Sequence, residues 1–131
     1  MTPRTKIKPA TADRAIAFGL TAVAFVVYFA GASPTIYVGD SGELVAAVHT
    51  LGIPHPSGYP LYVLLGKLWT LVFAIGTIAY RMSVFSALAA SAAVGLTYDL
   101  VRSLALSRAA AATAALTLAF SASFWSQSNI Q

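Results

Sequence analysis

The sequence predicts an all-α membrane protein with three transmembrane helices and amphipathic, interfacial helices in its first outer loop. Three observations predict it. Of 131 residues, 58% are hydrophobic and 9% are charged, and the mean hydropathy is +0.76. A soluble domain uses about 25% charged residues to cover its surface, so the solvent of this chain is largely lipid. The apolar residues also gather into runs close to the roughly 20 residues that cross a bilayer. The N-terminal tail and the connectors between those runs together hold most of the charge and proline.

Residues 1–14 carry Arg4, Lys6, Lys8 and Arg14 and read as a cytoplasmic tail, since positive flanks stay inside. The first span follows at 15–32. A cleavable signal peptide is its rival, with an A-x-A site at Ala30-Gly31-Ala32, although the apolar run is long for one. Residues 33–81 then form the outer loop. Within it, Leu61–Tyr80 is apolar enough to be a span, which would give a four-span bundle. Counting it so would put Arg102 and Arg108 outside, against the charge rule. Lys67, the interruptions at Gly66 and Gly76, and Tyr62, Trp69 and Tyr80 suit a helix lying in the interface instead. The second span is 82–101, the cytoplasmic loop 102–108, the third span 109–126, and residues 127–131 end outside. Ala87, Ala90, Ala93 and Gly95, with Ala111, Ala114 and Ala115, permit close helix contact. Asp99 lies three residues from Arg102, the spacing of a local ion pair.

The composition excludes several functions. With no cysteine there is no disulfide or thiolate site. The net charge of +4 forms no patch with interleaved aromatics, so nucleic acid is not a partner. Walker loop, nucleophile elbow and H-E-x-x-H are absent. His49 and His55 lie six apart with no third ligand at a suitable spacing, so no metal site is expected. A channel or transporter would need ionisable groups deep in the bilayer, and Asp99 lies near the end of its span.

Chemistry concentrates in "GDSGELVAAVHTLGIPHPSGYP", residues 39–60, which hold both histidines, two of the four acids and three of the six prolines. Asp40 and Glu43 have capping-box spacing, so a helix is expected from there to about Leu51, stopped by Gly52. Leu44, Val48 and Leu51 would form its apolar stripe. The same Asp40, between Gly39 and Gly42 at a membrane surface, is also suited to general-base work on a hydroxyl. The two roles are compatible. Pro54 and Pro56 stiffen His55 into an extended connector, Gly58 turns the chain, and Tyr59-Pro60 opens the next helix. On the outer side, Lys67 suits lipid headgroups and Arg81 suits a bidentate phosphate contact.

"GDSGELVAAVHTLGIPHPSGYPLYVLLGKL", "GTIAYRMSVFSALAA" and "FWSQS" together resemble glycosyltransferase family 117, of the GT-C superfamily, over nearly the whole chain. The resemblance implies the N-terminal part of a GT-C fold that uses a polyprenyl-phosphate-linked sugar, with mannose passing to Ser or Thr hydroxyls of exported proteins by an inverting single displacement. Asp40 matches the catalytic base, with Glu43 beside it. His55 and Tyr59, in H-P-x-G-Y-P, would shape the cleft, and Arg81, with Lys67 second, would bind the donor phosphate. No resident cofactor is implied. The partners implied are the lipid-linked donor, an acceptor protein and membrane lipids. Family members are much longer, and Asn129, Ile130 and Gln131 depart from their usual continuation, so the chain reads as an N-terminal portion, truncated. The alternative is a non-catalytic accessory subunit acting through helix packing or within a membrane-protein oligomer.

Overall fold

The computed structural model describes residues 11–104 and 107–130, so the basic residues Arg4, Lys6 and Lys8 lie outside the described part. Among the described residues six helices form: α1 (Thr11–Ala30), α2 (Ser41–Thr50), α3 (Pro60–Val72), α4 (Ile78–Ser103), α5 (Arg108–Ala119) and α6 (Ala122–Ser128). No strand occurs among the described residues, and the expected all-α class is borne out. Among the described residues, α1 and α4 are the two helices long and apolar enough to cross a membrane singly, and α5 with α6 could make a third span. α3, at 13 residues, rises about 20 Å, short of the roughly 30 Å hydrocarbon layer.

α1 and α4 pack closely because both present small residues. Ala17 and Ala24 of α1 and Ala87 of α4 are buried. Gly95 lies so near α1 that an added Cβ would collide with Thr21 Oγ1 and sit 3.3 Å from the Ala17 carbonyl. On its third side this core meets Ala111, Ala115 and Ala119 of α5. Tyr28 fills the space the alanines leave and donates its hydroxyl to Ala119 O at 2.9 Å, satisfying one of the last carbonyls of α5. Phe18, Val26, Leu96 and Leu100 point outward, as lipid-facing residues do.

One end of the bundle is tied by charge. Asp13, in the first turn of α1, is 2% exposed. Its Oδ1 accepts from Arg102 Nε at 3.1 Å, Arg108 Nε at 2.8 Å and Tyr98 Oη at 3.2 Å, and its Oδ2 accepts from Arg102 Nη2 at 3.3 Å. This carboxylate therefore joins the start of α1, the end of α4 and the start of α5. The expected Asp99–Arg102 pair does not form, because Arg102 reaches across to the more buried acid.

At the opposite end, Phe29 of α1 meets Tyr80 of α4 at 6.4 Å between ring centroids. Thr77 Oγ1 donates to Pro34 O at 2.9 Å and accepts from Tyr80 N–H as the N-cap of α4. The intervening segment, with α2 and α3 in it, leaves and re-enters at one end of the bundle.

Several boundaries differ from the sequence reading. α1 begins at Thr11, which brings Asp13 and Arg14 into the helix and out of the expected tail. The 61–80 stretch is two elements, α3 and the start of α4, with 73–77 between them. Gly66 does not interrupt α3; it makes room for Met82 and Val48. The third apolar run bends by 64° between α5 and α6. There Ser121 turns extended and its hydroxyl bonds Leu118 O at 3.0 Å, an alternative to continuing the helix.

Asp13→Asn is expected to remove the buried anion that Arg102 and Arg108 share and to destabilise the bundle by roughly 3 kcal/mol. Arg108→Ala should cost less, since its half-exposed side chain is screened. Thermal unfolding in detergent micelles measures both.

Candidate active site

The loop between α1 and α4 is fastened before it presents any chemistry. Tyr37 N–H donates to Ser41 Oγ at 3.0 Å, and Ser41 is buried at the start of α2. Gly39 takes φ +92°, a left-handed conformation that L side chains rarely adopt, and this sets Asp40 at the mouth of α2. Ser41, Val45 and Val48 form the buried face of α2. The expected stripe is thus rotated: Leu51 is exposed and itself takes the left-handed cap position, at φ 57°.

Asp40 occupies the N-cap position of α2 but its side chain makes no capping hydrogen bond. Its backbone is helical, φ −75° and ψ −2°, whereas a capping side chain needs the extended conformation to reach back. The capping box is therefore not closed. Glu43 turns elsewhere: Oε1 accepts from His55 N–H at 2.6 Å, and Oε2 lies 3.0 Å from His55 Nδ1. Asp40 Oδ2 lies 3.9 Å from His55 Nε2, and its side chain is 73% exposed. The imidazole thus stands between two carboxylates, and the Tyr59 ring packs edge-on to it at 5.4 Å. His55 is in a bend, not an extended strand, and its carbonyl accepts from Gly58 N–H at 2.8 Å. Tyr59, at φ 43°, delivers Pro60 to the first position of α3.

Electrostatics follow from that geometry. The Glu43 hydrogen bond first, then the charges of Glu43 and Asp40, raise the His55 imidazole above its ordinary 6.5, while partial desolvation opposes them. The same hydrogen bond, with the His55 backbone N–H next, lowers Glu43 below its ordinary 4.5.

The two cations stand apart from this group. Lys67 Nζ donates to His49 O at 2.5 Å, near the C-terminus of α2, where a positive charge is favourable. Arg81 donates from Nε to Gly76 O at 3.2 Å, from Nη1 to Thr70 O at 3.1 Å and from Nη2 to Ala74 O at 3.1 Å. Trp69 Nε1 donates to Arg81 O at 2.7 Å. Arg81 thereby closes the end of α3, and two of a guanidinium's five N–H groups are left over. Among the described residues no group of three or more His, Cys, Asp or Glu side chains is arranged to hold a metal ion.

The loop pattern and membrane helices match a known family model, the protein O-mannosyl-transferase TMEM260 N-terminal domain, over residues 40–131. The chain belongs to the TMEM260 N-terminal domain family. The TMEM260 match begins at Asp40, so the resemblance read from G-D-S-G-E and H-P-x-G-Y-P is borne out at the level of an O-mannosyltransferase family. Protein O-mannosyl-transferase TMEM260 of Mus musculus is 41% identical over 87 residues, 66% of this chain and 12% of the mouse protein. Its Dictyostelium discoideum counterpart is 33% identical over 70 residues, 52% of this chain and 8% of that protein. The chain therefore spans only a small part of these TMEM260 relatives. No solved structure matches it.

The Glu43–His55 pair should respond to pH in both directions. His55 is raised, so its contribution is complete below its unfolded value and lost as pH climbs through the folded one. Glu43 is lowered, so its contribution is complete above its unfolded value and lost as pH falls through the folded one. The clamp is fullest between the two. In an NMR titration of the imidazole, Glu43→Gln should bring the His55 midpoint down towards 6.5. An unmoved midpoint would show that Glu43 does not set it.

Proposed function

We propose that this chain supplies the catalytic loop of an O-mannosyltransferase that takes mannose from a polyprenyl-phosphate donor and passes it to Ser or Thr hydroxyls of exported proteins. The observation that carries the reading is an exposed carboxylate that makes no capping bond and touches His55 only at 3.9 Å. Asp40 stands at the head of α2 without capping it, while Glu43 is occupied by His55. A carboxylate that does not satisfy the helix is available to a substrate hydroxyl. The names of the TMEM260 relatives support a mannosyl acceptor reaction.

In the proposed step Asp40 takes the proton of the acceptor hydroxyl as its oxygen bonds to the anomeric carbon. The bond from that carbon to the phosphate oxygen breaks on the opposite face, its electron pair leaves with the phosphate, and configuration inverts. Glu43 acts as a positioning residue, because it holds His55, and with it Tyr59, beside Asp40. The His55–Tyr59 turn shapes the cleft wall. The two remaining N–H groups of Arg81, and less directly Lys67, meet the leaving phosphate's charge. In the membrane frame that goes with this reading, the loop of residues 33–81 faces outward, and the tail of 1–14 and the 102–108 connector face the cytoplasm.

The test is transfer from polyprenyl-phosphate mannose to a Ser/Thr peptide, in membranes expressing the chain from its full reading frame. Asp40→Asn is expected to lower the rate by about 100-fold or more with membrane insertion unchanged. An unaltered rate would remove Asp40 as the base.

A further inference from the structure

An open pocket of about 610 Å³ lies between the segment after α1 and the end of α6, within the ~300–1,000 Å³ of ordinary small-molecule sites. Its polar and aromatic lining is Ser33, Tyr37, Trp125, Ser126, Gln127 and Asn129, and no charged side chain contributes. The walls are built in advance. Ser33 N–H donates to Asn129 O at 2.9 Å, and Asn129 Nδ2 donates to Trp125 O at 3.0 Å. Tyr28 braces the Trp125 ring edge-on at 5.8 Å, and Phe120 stacks with it at 5.7 Å.

One atom in this wall is unsatisfied. Asn129 Oδ1 is buried with no hydrogen-bond partner, pressed against Gly31, where a Cβ would stand 3.1 Å away. A buried acceptor without a donor is costly, and both Gly31 and Asn129 line the pocket. The pocket also adjoins the candidate active site in the chain. Tyr37 precedes Asp40 by three residues, and its N–H is held by Ser41.

We infer that this pocket is a pyranose subsite, in which Trp125 stacks on the sugar ring and Gln127 and Asn129 hydrogen-bond its hydroxyls. A lining of indole, phenol, hydroxyls and carboxamides without charge suits a neutral polyhydroxylated ring. The Gln127 carboxamide offers two N–H donors and an acceptor to neighbouring hydroxyls, and Asn129, with one N–H given to Trp125 O, offers an N–H and an acceptor; the aromatic faces meet ring C–H groups. A phosphate has no cation to meet here, so the pocket takes the sugar and not the charged part of a donor. That the ring is mannose rests on the transferase reading above.

The probe is methyl α-mannopyranoside, followed by saturation-transfer NMR on the chain in lipid nanodiscs. Saturation is expected at the ring C–H protons. Gln127→Leu, at an exposed position outside the core, should weaken binding about fivefold or more with helical circular dichroism unchanged. Trp125→Phe keeps an aromatic ring against Tyr28 and should weaken it less. No saturation beyond that given to glycerol, or wild-type binding by both variants, would overturn the subsite. Competition then identifies the source of the ring: displacement by a short-chain polyprenyl phosphomannose marks the donor, and displacement by an O-mannosyl-serine peptide marks the acceptor side. Displacement by neither overturns it as a substrate site. Sugar binding that survives in an Asp40→Asn variant still able to transfer would sink the base and leave the subsite. Transfer that needs Asp40 while Gln127→Leu binds normally would sink the subsite alone.

Discussion

The Asp13 carboxylate organises this protein. An anion at 2% exposure is tolerable only where cations and donors surround it, and here they come from both ends of the α4–α5 connection. That requirement brings the start of α1 to the end of α4 and makes the two long helices antiparallel. Gly95 then lets their backbones approach, and the alanines of α5 complete a core with little side-chain bulk. With the helices so arranged, the segment from Gly31 to Thr77 returns to the end from which it left. Its two ends therefore lie together at one end of the bundle.

In that segment the same economy of polar groups recurs. Each cation answers a helix end: Lys67 meets a carbonyl of α2, and Arg81 meets the carbonyls that close α3. In an apolar chain with few charges, unsatisfied carbonyls at helix ends are expensive. Glu43 is likewise engaged, fixing the proline-bounded turn through both the backbone and the ring of His55. Asp40 alone of the loop's charged side chains is left facing solvent without a bond to the backbone.

Much of this was legible in the sequence. Composition and run length pointed to the class, and Tyr59-Pro60 marked the start of α3. The capping-box spacing placed α2 correctly but assigned Glu43 the wrong partner, since the competing donor, His55, lies twelve residues away and only the folded turn brings it in. Asp13 was invisible for the same reason. Its partners are 85 to 95 residues distant, while Asp99 and Arg102 had the deceptive virtue of being neighbours. The break at Ser121 was missed because a serine in an apolar run is ordinary; it stops the helix only when its hydroxyl turns back on Leu118. The Ser33–Asn129 pocket joins segments too far apart in the chain for any motif to suggest it.

The most direct measurement uses the absence of native cysteine. Single cysteines at Val38, Ile75 and Ser103, all exposed, can be tested with a membrane-impermeant thiol reagent in sealed vesicles of known orientation. The arrangement described here has positions 38 and 75 reacting from the same side, the outer one, and position 103 reacting only from the other. Labelling of 38 and 75 from opposite sides would mean that α3 crosses the bilayer, and the one-faced loop with its active-site chemistry would fall with it.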